Sequence, residues 1–274
     1  MYGVRASLNN VAVVEAPLDT CKDFSLQLGV LKSALARSPR VKVIFLCSPG
    51  NPTGSLISLS DIKTILELDS WSGMLVVDEA YIDFASHPES SCMGLLRQYG
   101  NLMVLNTLSK AFGLAGIRVG FAAGCQHIVG ILNKIKQPYN IGSLSSRLAT
   151  AALTEGSLAA ARHNINLIKT NRQHLIQELP KIKGVGRLIG GFDANFVLFE
   201  ILDSAGGCGR PCSITAASLV REMKHLESVL IRYRGDEYGC RGCVRVSIGD
   251  RGENERFLSA LSNVLAILYE GKVI

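Results

Sequence analysis

The sequence predicts an α/β protein in which a mostly parallel sheet forms the larger part and a small α+β unit follows it. Short apolar runs, typical of buried strands, alternate with segments of helical periodicity through the first part of the chain. That alternation is the pattern of a parallel sheet with crossover helices. From Leu158, apolar residues then recur at helical spacing as far as Pro180, and we expect this long helix to join the two parts. We therefore place the domains at residues 1–165 and 166–274.

The individual elements follow from apolar periodicity and from turn residues. Strands of the larger part are predicted at residues 11–17, 41–48, 74–77, 102–105 and 119–122. Its helices are predicted at 25–36 and 58–68, where Ser58 and Ser60 are candidate N-caps because a serine side chain can accept a backbone N–H. The smaller part is predicted to contain strands at 196–202, 229–233 and 244–248, and helices at 215–225 and 253–269.

Composition limits the class of protein. The 274 residues are 47% apolar, which is enough for a sizeable core. The net charge of +6 favours anionic ligands, but the basic residues are dispersed and aromatic residues make up only 6%, so no nucleic-acid partner is indicated. No apolar run approaches the ~18 residues of a membrane span, and residues 1–10 lack the apolar core of a signal peptide. The sequence predicts no membrane partner and a cytoplasmic location.

The cysteines raise the question of a metal site. Cys208 and Cys212, together with Cys240 and Cys243, have the spacing of a four-thiolate zinc site. Both pairs lie in segments rich in glycine and arginine that are typical of loops. Reduced free thiols are the favoured interpretation, since an intracellular compartment keeps thiols reduced. The five histidines show no ligand spacing, and no metal is predicted.

One lysine lies in an unusual setting. Lys110 follows the apolar run at 102–105, with Thr107 and Ser109 just before it and Arg118 eight residues later. A lysine that is partly desolvated and near another cation is shifted toward its neutral, nucleophilic form, as Schiff-base chemistry requires. Hydroxyl groups and an arginine suit a phosphate monoester. A lone Ser-Lys pair is more often an ordinary surface feature, but this combination indicates pyridoxal phosphate, which needs an amine for its aldehyde and donors for its phosphate.

Two other strand ends carry polar residues. Asp78 follows the strand at 74–77, at the carboxyl edge where open α/β sheets bind ligands, and its carboxylate can pair with a protonated pyridine nitrogen. Tyr81 can place its phenol near the 3-oxygen of the ring, and Asn51, in the turn S-P-G-N-P-T-G, offers an amide to the same oxygen. Each segment alone is usually a turn. Their joint occurrence in this order favours a cofactor site.

Four motifs occur in a fixed order: S-P-G-N-P-T-G, V-V-D-E-A-Y, T-L-S-K-A-F-G-L-A-G-I-R and C-V-R-V-S-I-G. This ordered set resembles the class II aminotransferases of fold type I, and within that group it is most similar to the histidinol-phosphate aminotransferases. The likeness extends from Tyr2 to the C-terminal helix. It implies a fold type I aminotransferase-like large domain that binds pyridoxal phosphate, a small C-terminal domain, and a homodimer.

The resemblance also implies roles for the candidate residues. The cofactor-binding positions are Asn51, Asp78, Tyr81, Thr107, Ser109, Lys110 and Arg118. Lys110 would bond to the cofactor aldehyde and serve as the catalytic base. Asp78 would pair with the pyridine nitrogen, and Tyr81 would contact the 3-oxygen together with Asn51. The cofactor phosphate would be held by Ser109 and Arg118, assisted by Thr107.

Two arginines match the positions that hold the substrate phosphate in the family. They are Arg232 in V-L-I-R-Y-R and Arg245 in C-V-R-V-S. From the residues alone, Arg232 can equally be an exposed cation at a strand end and Arg245 a member of a structural ion pair. The spacing of thirteen residues between them fits the family and favours substrate binding.

Family members begin well upstream of the point that matches Met1. The resemblance implies an arm, two strands, a glycine-containing loop for the cofactor phosphate and an aromatic residue that stacks on the pyridine ring, all before the matched region. One of those strands would lie between the strands matching 11–17 and 41–48. We therefore expect an N-terminally truncated chain with an incomplete large domain. A degenerate paralogue is the alternative.

The implied reaction is the transfer of the amino group of L-histidinol phosphate to 2-oxoglutarate, which gives glutamate, in histidine biosynthesis. Two alternatives remain open from the sequence. The chain can be another class II aminotransferase or a decarboxylase of phosphate-bearing amino acids, or it can be a catalytically inactive fragment.

Overall fold

The alternation of strands and helices is present in the structure, a computed structural model that describes residues 2–21, 23–206 and 208–271. The chain divides into two compact units by its internal contacts. The first unit comprises Met1–Gly50 and Leu56–Leu158, and the second comprises Asn51–Ser55 and Ala159–Ile274. The short segment Asn51–Ser55 therefore belongs, by its contacts, to the second unit.

The first unit contains one four-stranded sheet in the order β1-β2-β3-β4. Its strands are β1 (Val43–Cys47), β2 (Met74–Asp78), β3 (Leu102–Thr107) and β4 (Gly120–Gly124). Its helices are α1 (Tyr2–Leu8), α2 (Leu28–Arg37), α3 (Leu59–Leu66), α4 (Gln126–Ile135) and α5 (Ser143–Ala152). The first three strands are parallel, and β4 pairs with β3 in the antiparallel sense. This confirms the mostly parallel sheet.

Apolar residues of the strands and of α3 form the core of the first unit. Leu75 of β2 and Ile62 and Ile65 of α3 are fully buried in one cluster. The side chain of Ser58 accepts the N–H of Asp61 at 3.0 Å, so α3 begins at the predicted cap. Ser60, the other cap candidate, lies inside the helix instead. Capping and burial of one helix face together fix α3 against the sheet.

The predicted strand at 11–17 is wrong, and α1 was not predicted. Residues 11–18 have no regular secondary structure, and Val11, Val13 and Val14 are exposed. Alternating apolar residues form a strand only where a neighbouring strand can take up the backbone hydrogen bonds. In the described part of the chain this segment enters neither sheet, and β1 is an edge of its sheet.

The second unit contains an antiparallel sheet in the order β5-β6-β8-β7. Its strands are β5 (Val185–Ile189), β6 (Phe196–Ile201), β7 (Arg232–Tyr233) and β8 (Cys243–Ser247). Its helices are α6 (Glu155–Glu178), which begins shortly before the boundary of the unit, α7 (Ser213–Glu227) and α8 (Arg251–Tyr269). The predicted α+β character is confirmed. However, β5 was missed, and the predicted strand at 229–233 is shorter than expected.

The core of the second unit lies between this sheet and its helices. All positions of β6 are buried, and the ring of Phe199 meets that of Phe257 in α8 edge-on at 6.4 Å. Helix α8 begins at a capping box in which the side chains of Asp250 and Glu253 each accept the backbone N–H of the other. The box satisfies two backbone donors at the helix start and so fixes α8 where its apolar face meets the sheet.

The two longest helices of the described residues are α6, with 24 residues, and α8, with 19. Both carry charged side chains at intervals along their length. Within the described ranges, no helix is long and apolar enough to span a membrane.

Replacing Phe199 should weaken the second unit strongly. The side chain is fully buried, and Phe199→Ala removes its ring from the core, which typically costs about 3–5 kcal/mol of unfolding free energy. Leu230→Ala is the matched control, because Leu230 is 77% exposed and such surface changes stay within about 0.5 kcal/mol. Urea unfolding followed by circular dichroism checks both variants. Equal unfolding midpoints would contradict the described core.

Candidate active site

Parallel pairing brings two polar segments of the first unit to one edge of the sheet. Asp78 ends β2, and in the register its partners are Cys47 of β1 and Leu105 of β3. Thr107 ends β3 two residues further on. Because parallel strands present their carboxyl ends at the same edge, the turns after β2 and β3 start side by side. This edge is where open α/β sheets bind ligands.

The Asp78 carboxylate is half-buried and accepts two hydrogen bonds. Its Oδ1 accepts the N–H of Ala80 at 3.0 Å, and its Oδ2 accepts the phenol of Tyr2 at 2.5 Å. An ionised carboxylate has about four acceptor positions, so its capacity for a further donor remains. Tyr2 was not among the predicted site residues. It lies 76 residues from Asp78 in the chain, and no local pattern indicated the contact.

Tyr81 and Lys110 are brought together, as the site hypothesis requires. Tyr81 is buried, and the Lys110 Nζ lies 5.3 Å from the centroid of its ring, within the range of a cation–π contact. Lys110 occupies the turn after β3, where its carbonyl oxygen accepts the N–H of Gly113 at 3.1 Å. Lys110 is an exposed residue. The amine is accessible to an aldehyde that arrives from solvent.

The two predicted hydroxyl donors lie next to each other. The Thr107 Oγ1 is 3.0 Å from the Ser109 Oγ and 3.2 Å from the carbonyl oxygen of Val119, and it accepts the Ser109 N–H at 3.1 Å. Arg118 precedes Val119 and has a φ of 56°, which is uncommon for a residue other than glycine and recurs at functional sites. Its Nη1 donates to the carbonyl of Ala115 at 3.1 Å. The turn therefore holds Thr107 and Ser109 together and fixes the backbone at Arg118.

Glu79 supports the segment after β2, a role that the sequence did not indicate. It is only 1% exposed, and its carboxylate accepts the Ser91 hydroxyl at 2.7 Å and the Cys92 N–H at 2.5 Å. Burial raises the pKa of this carboxyl group, although the two hydrogen bonds oppose that shift. A buried carboxylate with these partners ties the chain between Asp78 and Tyr81 to the core.

In the second unit, the two predicted substrate-binding arginines are directly opposite each other. Arg232 of β7 and Arg245 of β8 are partners in the antiparallel register, so their side chains leave the same face of the sheet. The Arg245 guanidinium lies 4.6 Å from the centroid of the Phe196 ring and donates to the Asn51 Oδ1 at 2.5 Å. Two like charges in this position destabilise a sheet. An anion bound between them would relieve the repulsion.

Asn51 is held in the second unit by its own turn. Gly54 has a φ of 67°, and a Cβ atom there would stand 2.8 Å from the carbonyl oxygen of Gly191. The Gly54 carbonyl accepts the N–H of Asp193 at 3.1 Å, and the Ser55 hydroxyl accepts the N–H of Gly191 at 2.9 Å. Only glycine fits this close approach, which explains the last residue of N-P-T-G.

The donor set of the first unit fits pyridoxal phosphate chemically. Lys110 offers an accessible amine, Asp78 a carboxylate with acceptor capacity, and Tyr81 a phenol close to that amine. Thr107 and Ser109 add adjacent hydroxyls for a phosphate group. These are the partners that an aldehyde, a pyridine nitrogen, a ring oxygen and a phosphate each require.

The cysteines of the described residues form neither a disulfide nor a metal site. All eight are free thiols, and Cys240 and Cys243 are almost fully buried. In the part of the chain that the structure describes, no three His, Cys, Asp or Glu side chains are grouped so that they could hold a metal ion.

Comparison with known proteins identifies the family. Residues 1–261 match the family model for class I and II aminotransferases. A curated relative, the histidinol-phosphate aminotransferase of Schizosaccharomyces pombe, is 43% identical over 272 residues, which cover 99% of this chain and 70% of the relative.

Solved structures agree with this result. The chain superimposes on the histidinol-phosphate aminotransferase from Clostridium acetobutylicum with a TM-score of 0.82 at 26% identity, covering 97% of this chain and 75% of that one. The enzyme of the same name from Sinorhizobium meliloti, solved in complex with pyridoxal-5'-phosphate, gives a TM-score of 0.83 at 22% identity over 97% of this chain and 68% of that one. At that identity the second match supports the fold alone. On the family match and the fungal relative together, the chain belongs to the class I and II aminotransferase family.

Proposed function

We propose that this chain carries out pyridoxal-phosphate-dependent transamination of L-histidinol phosphate, with 2-oxoglutarate as the amino acceptor, in histidine biosynthesis. The observation that carries the proposal is the cluster of residues at the carboxyl edge of the first sheet. There the Asp78 carboxylate accepts hydrogen bonds from Ala80 and Tyr2. The Lys110 amine faces the Tyr81 ring. The relatives named above support the choice of substrate.

Each residue of the cluster has a part in this proposal. When bound, pyridoxal phosphate supplies an aldehyde that bonds to amines and a ring that accepts electrons. Lys110 would hold the cofactor through its aldehyde until the substrate amine displaces the Nζ, and the freed Nζ would then carry a proton from the substrate carbon to the former aldehyde carbon of the cofactor, as a general base and acid does. Asp78 keeps the ring nitrogen protonated by charge pairing. Tyr81 would orient the ring through its 3-oxygen.

Anchoring of the cofactor phosphate is assigned to the turn after β3. The adjacent hydroxyls of Thr107 and Ser109 are suitable donors, and Arg118 contributes the charge that strengthens such contacts. Their proximity in the chain to Lys110 means that phosphate and aldehyde are bound by one short segment. That arrangement limits how the cofactor can turn relative to the amine.

The arginine pair of the second unit is assigned to the substrate phosphate. Arg232 and Arg245 place two guanidinium groups on one face of a sheet, and phosphate dianions are best held by such multiple donors. Phe196 and Asn51 orient Arg245 through the contacts described above. The pair would therefore distinguish phosphorylated from dephosphorylated substrate.

We further propose that residues 1–165 act as the cofactor-binding domain and 166–274 as the small domain, and that the enzyme is a cytoplasmic homodimer. Resemblance to the family supports these assignments. Small molecules are the expected partners: histidinol phosphate, 2-oxoglutarate and glutamate.

Lys110 should be the residue that bonds to the cofactor. Incubation with pyridoxal phosphate followed by borohydride reduction should leave a stable adduct, and peptide mass spectrometry should place it on Lys110, because this amine is exposed beside Tyr81. Lys110→Ala should abolish the adduct. Lys63→Ala, which removes an exposed lysine on α3, should leave it intact. Modification only at other lysines would contradict the assignment.

Asp78→Asn should retain the fold and most cofactor binding but lose turnover. A charge pair at about 4 Å is worth about 4 kcal/mol at an effective dielectric near 20, and each ~1.4 kcal/mol is tenfold in rate. We therefore expect kcat to fall by about 10³-fold in steady-state assays. Asp69→Asn, at an exposed position, is the control. If Asp78→Asn had the same kcat as the parent, Asp78 would be an ordinary turn residue without a role in catalysis.

The arginine pair should set the preference for phosphate. A charge-assisted hydrogen bond contributes about 1.5–3 kcal/mol, so Arg232→Gln or Arg245→Gln should lower kcat/KM for histidinol phosphate by about 10–150-fold and leave that for histidinol nearly unchanged. Arg241→Gln, on an exposed position of the same hairpin, is the matched control. Equal losses of kcat/KM on both substrates would show that these arginines do not bind the substrate phosphate.

A further inference from the structure

Tyr2 contacts the carboxylate that the proposed function assigns to the ring nitrogen of the cofactor. Its phenol donates a hydrogen bond of 2.5 Å to the Asp78 Oδ2, while the backbone N–H of Ala80 donates to the Oδ1 at 3.0 Å. The two oxygens are thus held from different directions, one by the adjacent backbone and one by a side chain of α1. A carboxylate with both oxygens engaged cannot rotate freely.

The phenol is itself held in place. Its ring stacks on Phe45 of β1, with centroids 4.4 Å apart and an angle of 26° between the planes. Because β1 is the neighbour of β2 in the sheet, Phe45 and Asp78 form parts of one rigid surface. Burial raises the pKa of the Tyr2 phenol, and the hydrogen bond to Asp78 and the charge of Asp78 raise it further. The phenol therefore remains a donor throughout the neutral range.

We propose that Tyr2 is a positioning residue that fixes the Asp78 carboxylate for the pyridine nitrogen, an assignment that rests on the proposed function. Two of the roughly four acceptor positions of the carboxylate are used by Tyr2 and Ala80, and the others stay available for the ring N–H. A side chain of this kind makes no contact with the reacting atoms. It acts by holding the Asp78 carboxylate in the orientation that is needed to bind the ring nitrogen of the cofactor.

The contact can be tested without cofactor. Tyr2→Phe keeps the stacked ring and removes only the hydroxyl, so the variant is expected to fold. In urea unfolding of the cofactor-free chain, Tyr2→Phe and Asp78→Asn should not act independently. Their combined effect on the unfolding equilibrium constant should differ from the product of the separate effects by about 3- to 10-fold. Independent effects would overturn the proposal.

The positioning role is tested with pyridoxal phosphate. Tyr2→Phe should weaken its binding by no more than Asp78→Asn does, less than about tenfold, because the phenol acts on the cofactor only through the Asp78 carboxylate. It should also shift the pH titration of the bound cofactor's absorbance in the same direction as Asp78→Asn does. Tyr99→Phe is the matched control, because the Tyr99 phenol also donates to a carboxylate, that of Glu67, at the surface. It should bind and titrate as the parent chain does.

Two results of the cofactor experiments would contradict the positioning role of Tyr2. If the absorbance titration is unchanged in Tyr2→Phe, the hydrogen bond between Tyr2 and Asp78 has only a structural role. If Tyr2→Phe binds the cofactor more tightly, the phenol competes with the ring nitrogen for the Asp78 carboxylate. Either result overturns the proposal. A parent chain that takes up no cofactor at all would instead count against the proposed function, and the unfolding experiment would still decide whether Tyr2 and Asp78 are coupled.

Discussion

The candidate site depends on the parallel pairing of β1, β2 and β3. This ladder aligns Cys47, Asp78 and Leu105 across the sheet, so the turns that follow the strands begin at one edge. A slip of one residue would send the side chain of Asp78 to the opposite face of the sheet. The carboxylate, the Tyr81 phenol and the Lys110 amine thus share one edge because buried apolar strands, such as the one containing Leu75, fix the register.

In the second unit, strand pairing also fixes the positions of two candidate residues, but here both carry a positive charge. Antiparallel pairing of a two-residue strand with β8 sets Arg232 opposite Arg245, an arrangement that repulsion alone would disfavour. Contacts of Arg245 with the Phe196 ring and the Asn51 amide offset part of that cost. An anion bound between the two guanidinium groups would offset more of it. In both units, strand pairing therefore fixes the positions of candidate site residues.

Much of the fold could be predicted from the sequence, because buried strands and amphipathic helices leave a local signal. The central strands and the helices α3, α7 and α8 are of this type. Residues 11–17 show the limit: their alternation predicted a strand, but pairing requires a partner that local sequence does not specify. The candidate site was predictable where its residues are close in the chain, as with Thr107, Ser109 and Lys110. The hydrogen bond between Tyr2 and Asp78, the burial of Glu79 and the exposure of Lys110 all depend on tertiary packing, which periodicity does not reveal.

The central claim is that one edge of the first sheet binds pyridoxal phosphate through Lys110 and Asp78. A crystal structure of the chain grown with the cofactor tests this most directly. We expect continuous electron density between the Lys110 Nζ and the former aldehyde carbon, and the pyridine nitrogen within hydrogen-bond distance of the Asp78 carboxylate. Cofactor bound to another lysine, or with its ring nitrogen directed away from Asp78, would contradict the account.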